Sequence, residues 1–161
     1  MAIMFVRAQV ISRGAGRSVV SAAAYRHRTR MEEEQTGMSF RYEGGKAELV
    51  HEELALPDQT PAWLRTMIDG RTVAGVSEVL WNAVDTFEKR IDAQLAREMI
   101  FALPEELSKA ENIALVREFV RDHLTSKGMV ADWVYHDKDG NPHIHLMTTL
   151  RPLTDDGFGN K

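Results

Sequence analysis

HDKDGNPHIH, residues 136–145, holds three of the six histidines in a chain of 161 residues. His143 and His145 are two apart, which on a strand puts both side chains on one face of a sheet. Between them and His136 lies Asp137-Lys138-Asp139-Gly140-Asn141-Pro142, a run of turn formers. A turn there carries the chain back on itself, so His136 comes to face the His143/His145 pair. MVADWVYH before the turn and HIHLMTTL after it then read as the arms of one antiparallel hairpin, on which three imidazoles converge.

Outward from the hairpin, strands and helices mix. Ile3–Ile11, IMFVRAQVI, is apolar and β-branched and reads as a strand, and SRGAGR follows as a turn. Ser18 is placed to cap a helix running through VVSAAAYRHRTRM, which has alanines at its centre and no breaker. SFRYE and Ala47–Leu56 read as strands, and AWLRTMIDG opens a short helix. From Val76 to about Gln94, residues Val76, Val79, Leu80, Val84, Phe87 and Ile91 recur at helical spacing and predict a core-facing stripe that also takes in Trp81. Ala96–Pro104 is strand-like. A second long helix is predicted from Ser108, with Glu111 three residues on as a capping partner and Gly128 as the stop. The tail, RPLTDDGFGNK, is expected to end without a packed element, as in the N-terminal part of a longer protein. This order predicts one α+β domain over residues 1–161, an antiparallel sheet with helices on one face.

Composition sets the limits of function. Hydrophobic residues at 43% and charged residues at 27% are ordinary for a globular chain. There is no cysteine, which excludes disulfides and thiolate metal sites. No apolar run reaches the ~20 residues of a membrane span, and the first residues lack a signal-peptide layout, so a cytoplasmic protein without membrane insertion is expected. Net charge is −4, yet Arg7, Arg13, Arg17, Arg26, Arg28 and Arg30 precede any acid, the acids beginning at Glu32. A basic first fifth on an acidic whole predicts a local anion-binding face.

Three imidazoles can hold a divalent metal and leave positions open on it, as a catalytic Lewis acid needs. The competing reading makes them polar hairpin residues; their number and spacing favour the metal. Hydrolysis at such a metal would use Asp137 or Asp139 as a base. Transfer to a side-chain hydroxyl would use Tyr25, which lies between arginines in the basic stretch. A free phenol titrates near 10 and would need a base or nearby cations to act as a nucleophile. A ring packed on the sheet is the alternative for Tyr25, and the residue pattern leaves both open.

HDKDGNPHIHLM resembles the three-histidine motif of conjugative relaxases, the His-hydrophobe-His endonucleases that nick plasmid DNA at the transfer origin. With SAAAYRHRTRM, LWNAVDTFEKRIDAQLAREMIFALPEEL, NPHIHLM and RPLTDDGFGNK in order, nearly the whole chain resembles the MobA/MobL family, in particular its TraA-type N-terminal relaxase domains. The resemblance implies a five-stranded antiparallel sheet with helices packed on it and the histidine strand central. It implies Tyr25 as the nucleophile, His136, His143 and His145 as metal ligands, and Glu98 as an acidic strand residue near them. Where some relatives carry a second acid, this chain has Ile100. The implied cofactor is a divalent ion, Mg²⁺ or Mn²⁺, with Ni²⁺, Co²⁺ or Zn²⁺ also accepted by imidazole. The implied partners are single-stranded DNA at a plasmid transfer origin, other relaxosome proteins and a type IV secretion coupling protein.

The implied reaction is reversible tyrosyl transesterification, giving a 5′-phosphotyrosyl link. The arginine set would contact the DNA backbone, and Trp133 and Tyr135 would stack bases. Glu98, a metal-bound hydroxide and the arginines all remain open as the means of deprotonating Tyr25. Three other classes stay in view. A replication initiator or transposase would carry its tyrosine after the histidines, a binding module would unfold without metal, and a hydrolytic nuclease would leave no covalent adduct.

Overall fold

In the computed structural model, which describes residues 5–161, the predicted hairpin is the centre of the molecule. β1 (Val6–Ser12), β4 (Leu49–Ala55), β5 (Gln94–Ala102), β6 (Ala131–Lys138) and β7 (Asn141–Thr148) form one sheet in the order β1-β5-β7-β6-β4, so the strand carrying His143 and His145 lies in the middle. Every neighbouring pair is antiparallel. Ile3 and Met4, where the predicted first strand begins, lie outside the described residues.

The hairpin turn is tighter than the sequence predicts. The ladder runs to Lys138↔Asn141, leaving only Asp139 and Gly140 in the loop. Both have positive φ, 55° and 74°. Asp-Gly with two left-handed residues is the two-residue turn whose twist matches that of its flanking strands. It fixes the register that sets His136 directly across from His143.

Alternation then divides the sheet into two faces. His143, His145 and Met147 point one way on β7, and Ile144 and Leu146 the other. On the histidine face pack α1 (Val19–Arg26), α2 (Ala62–Ile68) and α3 (Val73–Phe87), through Val19, Val20, Ala23, Leu64, Leu80 and Trp81 against Ile11, Leu95 and Met147. On the opposite face α4 (Lys109–His123) lays Val116 and Val120 over Trp133, Tyr135, Ile144 and Leu146. The expectation of helices on one face is therefore corrected: both faces of the sheet carry apolar residues, and each is covered. Trp81 is core, as its spacing implied.

Local chemistry explains most element ends. α4 starts on a capping box in which Ser108 Oγ accepts from the Glu111 N–H and the Glu111 carboxylate accepts from the Ser108 N–H. α3 starts at Thr72, whose side chain accepts from the Gly75 N–H. α3 stops at Phe87 rather than near Gln94, and the reason comes from β1's end. Arg13 reaches across to donate to the carbonyls of Asp85, Glu88 and Arg90, taking oxygens the helix would otherwise use. Ile91 is consequently outside the helix and exposed.

α1 stops at Arg26 although no glycine or proline follows. Arg28 takes φ 50°, its N–H donates to the Tyr25 carbonyl, and the Thr29 N–H donates to the Ala24 carbonyl. That is a Schellman ending with arginine where glycine is usual, at a strain of about 1 kcal/mol. The chain turns into a small hairpin, β2 (Arg30–Glu32) with β3 (Ser39–Arg41), where the sequence predicted further helix. The tail also corrects its expectation. β8 (Leu153–Thr154) and β9 (Gly157–Phe158) pair, and the Phe158 ring packs on Trp63 and Phe87.

Candidate active site

The three histidines meet as the hairpin register requires. They form a cluster whose ligand-capable atoms all lie within 4.8 Å of one another. Ring centroids are 4.8 Å apart for His136–His145 and 4.9 Å for His143–His145. Outer partners fix two of the rings. His136 Nε2–H donates to the Arg26 carbonyl at 2.7 Å, leaving the buried Nδ1 without a partner. His143 Nδ1–H donates to the Asn141 carbonyl at 2.8 Å, which leaves Nε2 with its lone pair. Nδ1 of His145 is also buried and unpartnered.

Burial pulls the His136 pKa down to about 4, with the nearby Arg28 charge adding to the effect. Burial again, then His136 and Arg26, lowers His145 to about 3. Both rings are neutral at physiological pH. A neutral imidazole with one nitrogen held by a carbonyl and a lone pair left over, as at His136, has the form of a metal ligand. Orphaned buried nitrogens are costly unless something occupies them. The residues fit a divalent cation.

Tyr25, in the last turn of α1, is half-exposed on the same side of the sheet. It lines an open groove of about 540 Å³ together with His145, Glu98, Ile100, Arg17 and Tyr42. Its ring stands edge-on to Tyr42 at 5.5 Å, with the Arg28 guanidinium 4.3 Å from its centroid. Tyr42 in turn shares a hydrogen bond with Ser21 on α1. The ring is not packed on the sheet; it faces the groove.

Glu98 is buried in the groove floor and surrounded by donors. Its carboxylate accepts from Gln9 and from Arg26 and pairs with Arg17 at 2.9 Å. With both oxygens committed, it has the surroundings of a group that holds arginines in place rather than of a free base.

The six arginines separate into different settings. Arg17 is partly exposed at the groove, and Arg26 is buried against Glu98 beneath it. Arg28 is buried too, bridging the Tyr25 ring and Glu48. Arg7 is exposed on β1 beside Gln9, and Arg30 is exposed on β2, paired to Glu32. Arg13 is committed internally, to Asp85 at 2.7 Å and to the carbonyls that end α3. Trp133 and Tyr135, expected to stack bases, are instead buried on the opposite face under α4. Alternation from His136 places them there, since odd and even positions face opposite ways.

Sequence reading passed over Tyr42, Gln9 and the buried Asp132; His27 stood out beside Tyr25, without a role and on another face of the helix. His27 is fully buried; Nδ1–H donates to Glu52 at 2.8 Å and Nε2–H to Asp132 at 2.6 Å. Asp132 also accepts from Ser77 and from Trp81 Nε1. The signal for Asp132 was available: in ADWVYH it alternates onto the face of Val134 and His136. Nothing in the sequence pointed to Tyr42 or Gln9.

Among the described residues no helix is long and apolar enough to cross a membrane. Residues 17–161 match the model of the MobA/MobL family. The chain is 58% identical to conjugal transfer protein TraA of Rhizobium radiobacter over 161 residues, 100% of this chain and 14% of that protein. It is 37% identical to mobilization protein MobL of Acidithiobacillus ferridurans, over 98% of this chain and 45% of that one. A solved structure, described as the molecular basis of vancomycin resistance transfer in Staphylococcus aureus, superposes with a TM-score of 0.84 at 29% identity. That match covers 99% of this chain and 77% of that one. The chain thus spans 14% of the length of its TraA relatives. With the family model covering all but its first residues, and with a five-stranded sheet centred on the histidine hairpin, the chain belongs to the MobA/MobL family.

Proposed function

We propose that residues 1–161 form a relaxase module that nicks and rejoins one DNA strand at a plasmid transfer origin, by metal-dependent transfer of a phosphoryl group to Tyr25. The observation that carries this reading is the groove: the half-exposed Tyr25 and His145, one of the three clustered histidines, line the same cleft with Arg17 and Arg26. The names of the relatives, conjugal transfer and mobilization proteins, support the biological setting.

His136, His143 and His145 would hold a divalent cation, Mg²⁺ or Mn²⁺ by availability. When bound, such an ion supplies Lewis-acid stabilisation of charge on a phosphate oxygen. The protein's own groups do the rest. Arg17 at the groove offers charge to the DNA backbone, while Arg26 and Arg28 raise the positive potential beneath it. Tyr25 Oη attacks phosphorus in line, its proton passing to a base. The bond to the 3′ oxygen breaks, leaving a 3′-hydroxyl and a 5′-phosphotyrosyl ester. One phosphodiester replaces another, so the step is near thermoneutral and can be reversed to rejoin the strand.

The test uses labelled single-stranded oligonucleotides from the transfer origin with Mn²⁺, resolved under denaturing conditions. The reading predicts a labelled band migrating with the protein and carrying the 3′ portion of the cut strand. It also predicts that an added strand with a free 3′-hydroxyl exchanges with the one released. Cleavage into free fragments only would identify a hydrolase instead.

A further inference from the structure

Four consecutive residues, Tyr25 to Arg28, each tie to a different part of the site. Tyr25 presents its ring to the groove. Arg26 sends its side chain to Glu98 and its carbonyl to His136 Nε2–H. Arg28 covers the Tyr25 ring and donates to the Tyr25 carbonyl at 2.9 Å. His27 goes the other way, down into the core, where it meets carboxylates on two strands of the central sheet.

The surroundings of His27 are unusual for a buried histidine. Both ring nitrogens lie within hydrogen-bond distance of carboxylates, Asp132 on β6 and Glu52 on β4, and an ionised carboxylate only accepts, so each nitrogen carries the hydrogen. A ring that donates twice is an imidazolium. Asp132 is fully enclosed and accepts from Ser77 and Trp81 of α3 on its other oxygen, so both oxygens are hydrogen-bonded. A buried charge of this kind is tolerated when paired and hydrogen-bonded, and it then fixes geometry more than it adds stability. Asp132 and His136 lie four apart on one strand and face the same side. The clamp and the metal-ligand cluster therefore share β6 as a common rigid base.

We propose that His27 is a positioning residue for the nicking reaction. Clamped as an imidazolium between Asp132 and Glu52, it locks the strained turn after α1, so that the Tyr25 ring and the Arg26 carbonyl are held in register with His136. The inference rests on the reading of Tyr25 as nucleophile; the existence of the clamp does not. The left-handed Arg28 fits the same picture. A non-glycine residue keeps that backbone only where neighbours over-determine it, and the Arg28 stem is so closely approached that a Cβ on Gly45 would come within 2.8 Å of it.

Two measurements separate positioning from mere stability. The first is NMR of the protein labelled with ¹⁵N-histidine and ¹³C-tyrosine, with no DNA or metal. The expected result is a His27 ring carrying hydrogen on both nitrogens at neutral pH, and a Tyr25 ring signal that moves in Glu52→Gln and in His27→Gln. Glu52 is the safer variant, being partly exposed, and stands in if His27→Gln does not fold. The second is the rate of covalent adduct formation with Mn²⁺ and single-stranded oligonucleotide. His27→Gln is expected to lower kcat on the order of 100-fold, the cost of about 1 Å of misplacement, with KM for the oligonucleotide unchanged; Glu52→Gln should show a smaller loss of the same kind. A neutral His27 ring overturns the proposal, as does a Tyr25 signal and kcat in Glu52→Gln indistinguishable from the unmodified protein. If the unmodified protein forms no adduct, the reading of the nucleophile fails, and the NMR arm alone decides the clamp.

Discussion

The carbonyl oxygen of Arg26 accepts a hydrogen bond from His136 Nε2 at 2.7 Å, one residue after Tyr25. The residue next to Tyr25 in the chain thereby fixes the tautomer of one histidine of the candidate metal cluster. The bond joins α1 to β6 across 110 residues of sequence. It leaves Nδ1 as the only nitrogen His136 can offer to a cation. The outer partner that orients a ligating histidine is usually a carboxylate, carbonyl or water, and at His136 that position is filled by a backbone carbonyl of the turn that carries Tyr25.

Metal removal should silence the protein without unfolding it. The two apolar clusters on either face of the sheet are built without a metal ligand, unlike a small domain folded by its ion. With EDTA, adduct formation should fall to background while the thermal unfolding transition stays cooperative and within a few degrees. His143→Ala should weaken Mn²⁺ binding by more than the roughly 10- to 100-fold typical of losing an outer partner, measured by titration calorimetry. Loss of the native circular dichroism spectrum on chelation would instead identify a metal-stabilised binding module.

Glu98→Gln should destabilise the fold. It leaves the buried Arg26 guanidinium without its carboxylate and frees Arg17. Breaking a buried pair from one side costs about 3–5 kcal/mol, readable as a lower urea midpoint. Glu98→Ala should cost more, because Gln9 also loses its acceptor. If Glu98 were the base that deprotonates Tyr25, Glu98→Gln would instead abolish adduct formation at unchanged stability.

The pH dependence of stability should carry the His27 clamp as a signature. Burial alone lowers the His27 pKa, but Asp132 and then Glu52 outweigh it and raise it from 6.5 to about 9. A raised folded value gives stability that is complete below pH 6.5 and lost as pH rises through about 9. Asp132 works from the acid side. Burial pushes its carboxyl up, and His27, Ser77 and Trp81 more than offset this, holding it below its usual range. The stability gap between the unmodified protein and His27→Gln should therefore be largest near pH 6 and shrink by about 3 kcal/mol by pH 10. His136 and His145 have the opposite sign. Lowered to about 4 and about 3, they favour the fold above pH 6.5 and disfavour it progressively in acid.

Arg13 and Arg17 should part company in DNA binding. Arg17→Ala is expected to reduce the salt slope of oligonucleotide affinity by about one phosphate contact, with little change in stability beyond the loss of its pair with Glu98. Arg13→Ala should leave the slope unchanged and lower stability by about 2 kcal/mol, because its guanidinium holds the carbonyls at the end of α3. Equal slopes for the two variants would return Arg13 to the DNA-contacting set.

What could be read from the sequence follows from how local each determinant is. The histidine hairpin rests on an Asp-Gly pair and a period-2 pattern, both contained within ten residues, so the facing of His136 on the His143/His145 pair was legible, although the turn is tighter than the one read from the sequence. Ser108 with Glu111 was legible as a capping box for the same reason. The end of α1 was not. No local breaker follows Arg26; the helix is stopped by a left-handed Arg28 and by His27 pairing with Asp132, a residue 105 positions away. α3 ends early for a similar reason, its carbonyls claimed by Arg13 from β1's end. The tail looked unpacked because its one aromatic residue, Phe158, finds Trp63 and Phe87 only in three dimensions. Within the site, the histidine cluster was legible from type and spacing; Tyr25 stood out among its arginines, with its role given only by the family resemblance, and the surroundings of Glu98 depend on β1, α1 and the loop between them.

The central claim is that Tyr25 is the atom-donating nucleophile in the histidine groove, and intact-protein mass spectrometry tests it most directly. The protein is mixed with Mn²⁺ and single-stranded transfer-origin oligonucleotide, beside Tyr25→Phe and EDTA controls, and the adduct is then digested to locate the modified residue. The account predicts a mass increase equal to the 5′-phosphorylated downstream fragment, carried by the peptide containing Tyr25 and absent from both controls. An adduct on another residue, or an adduct that survives Tyr25→Phe, would contradict it.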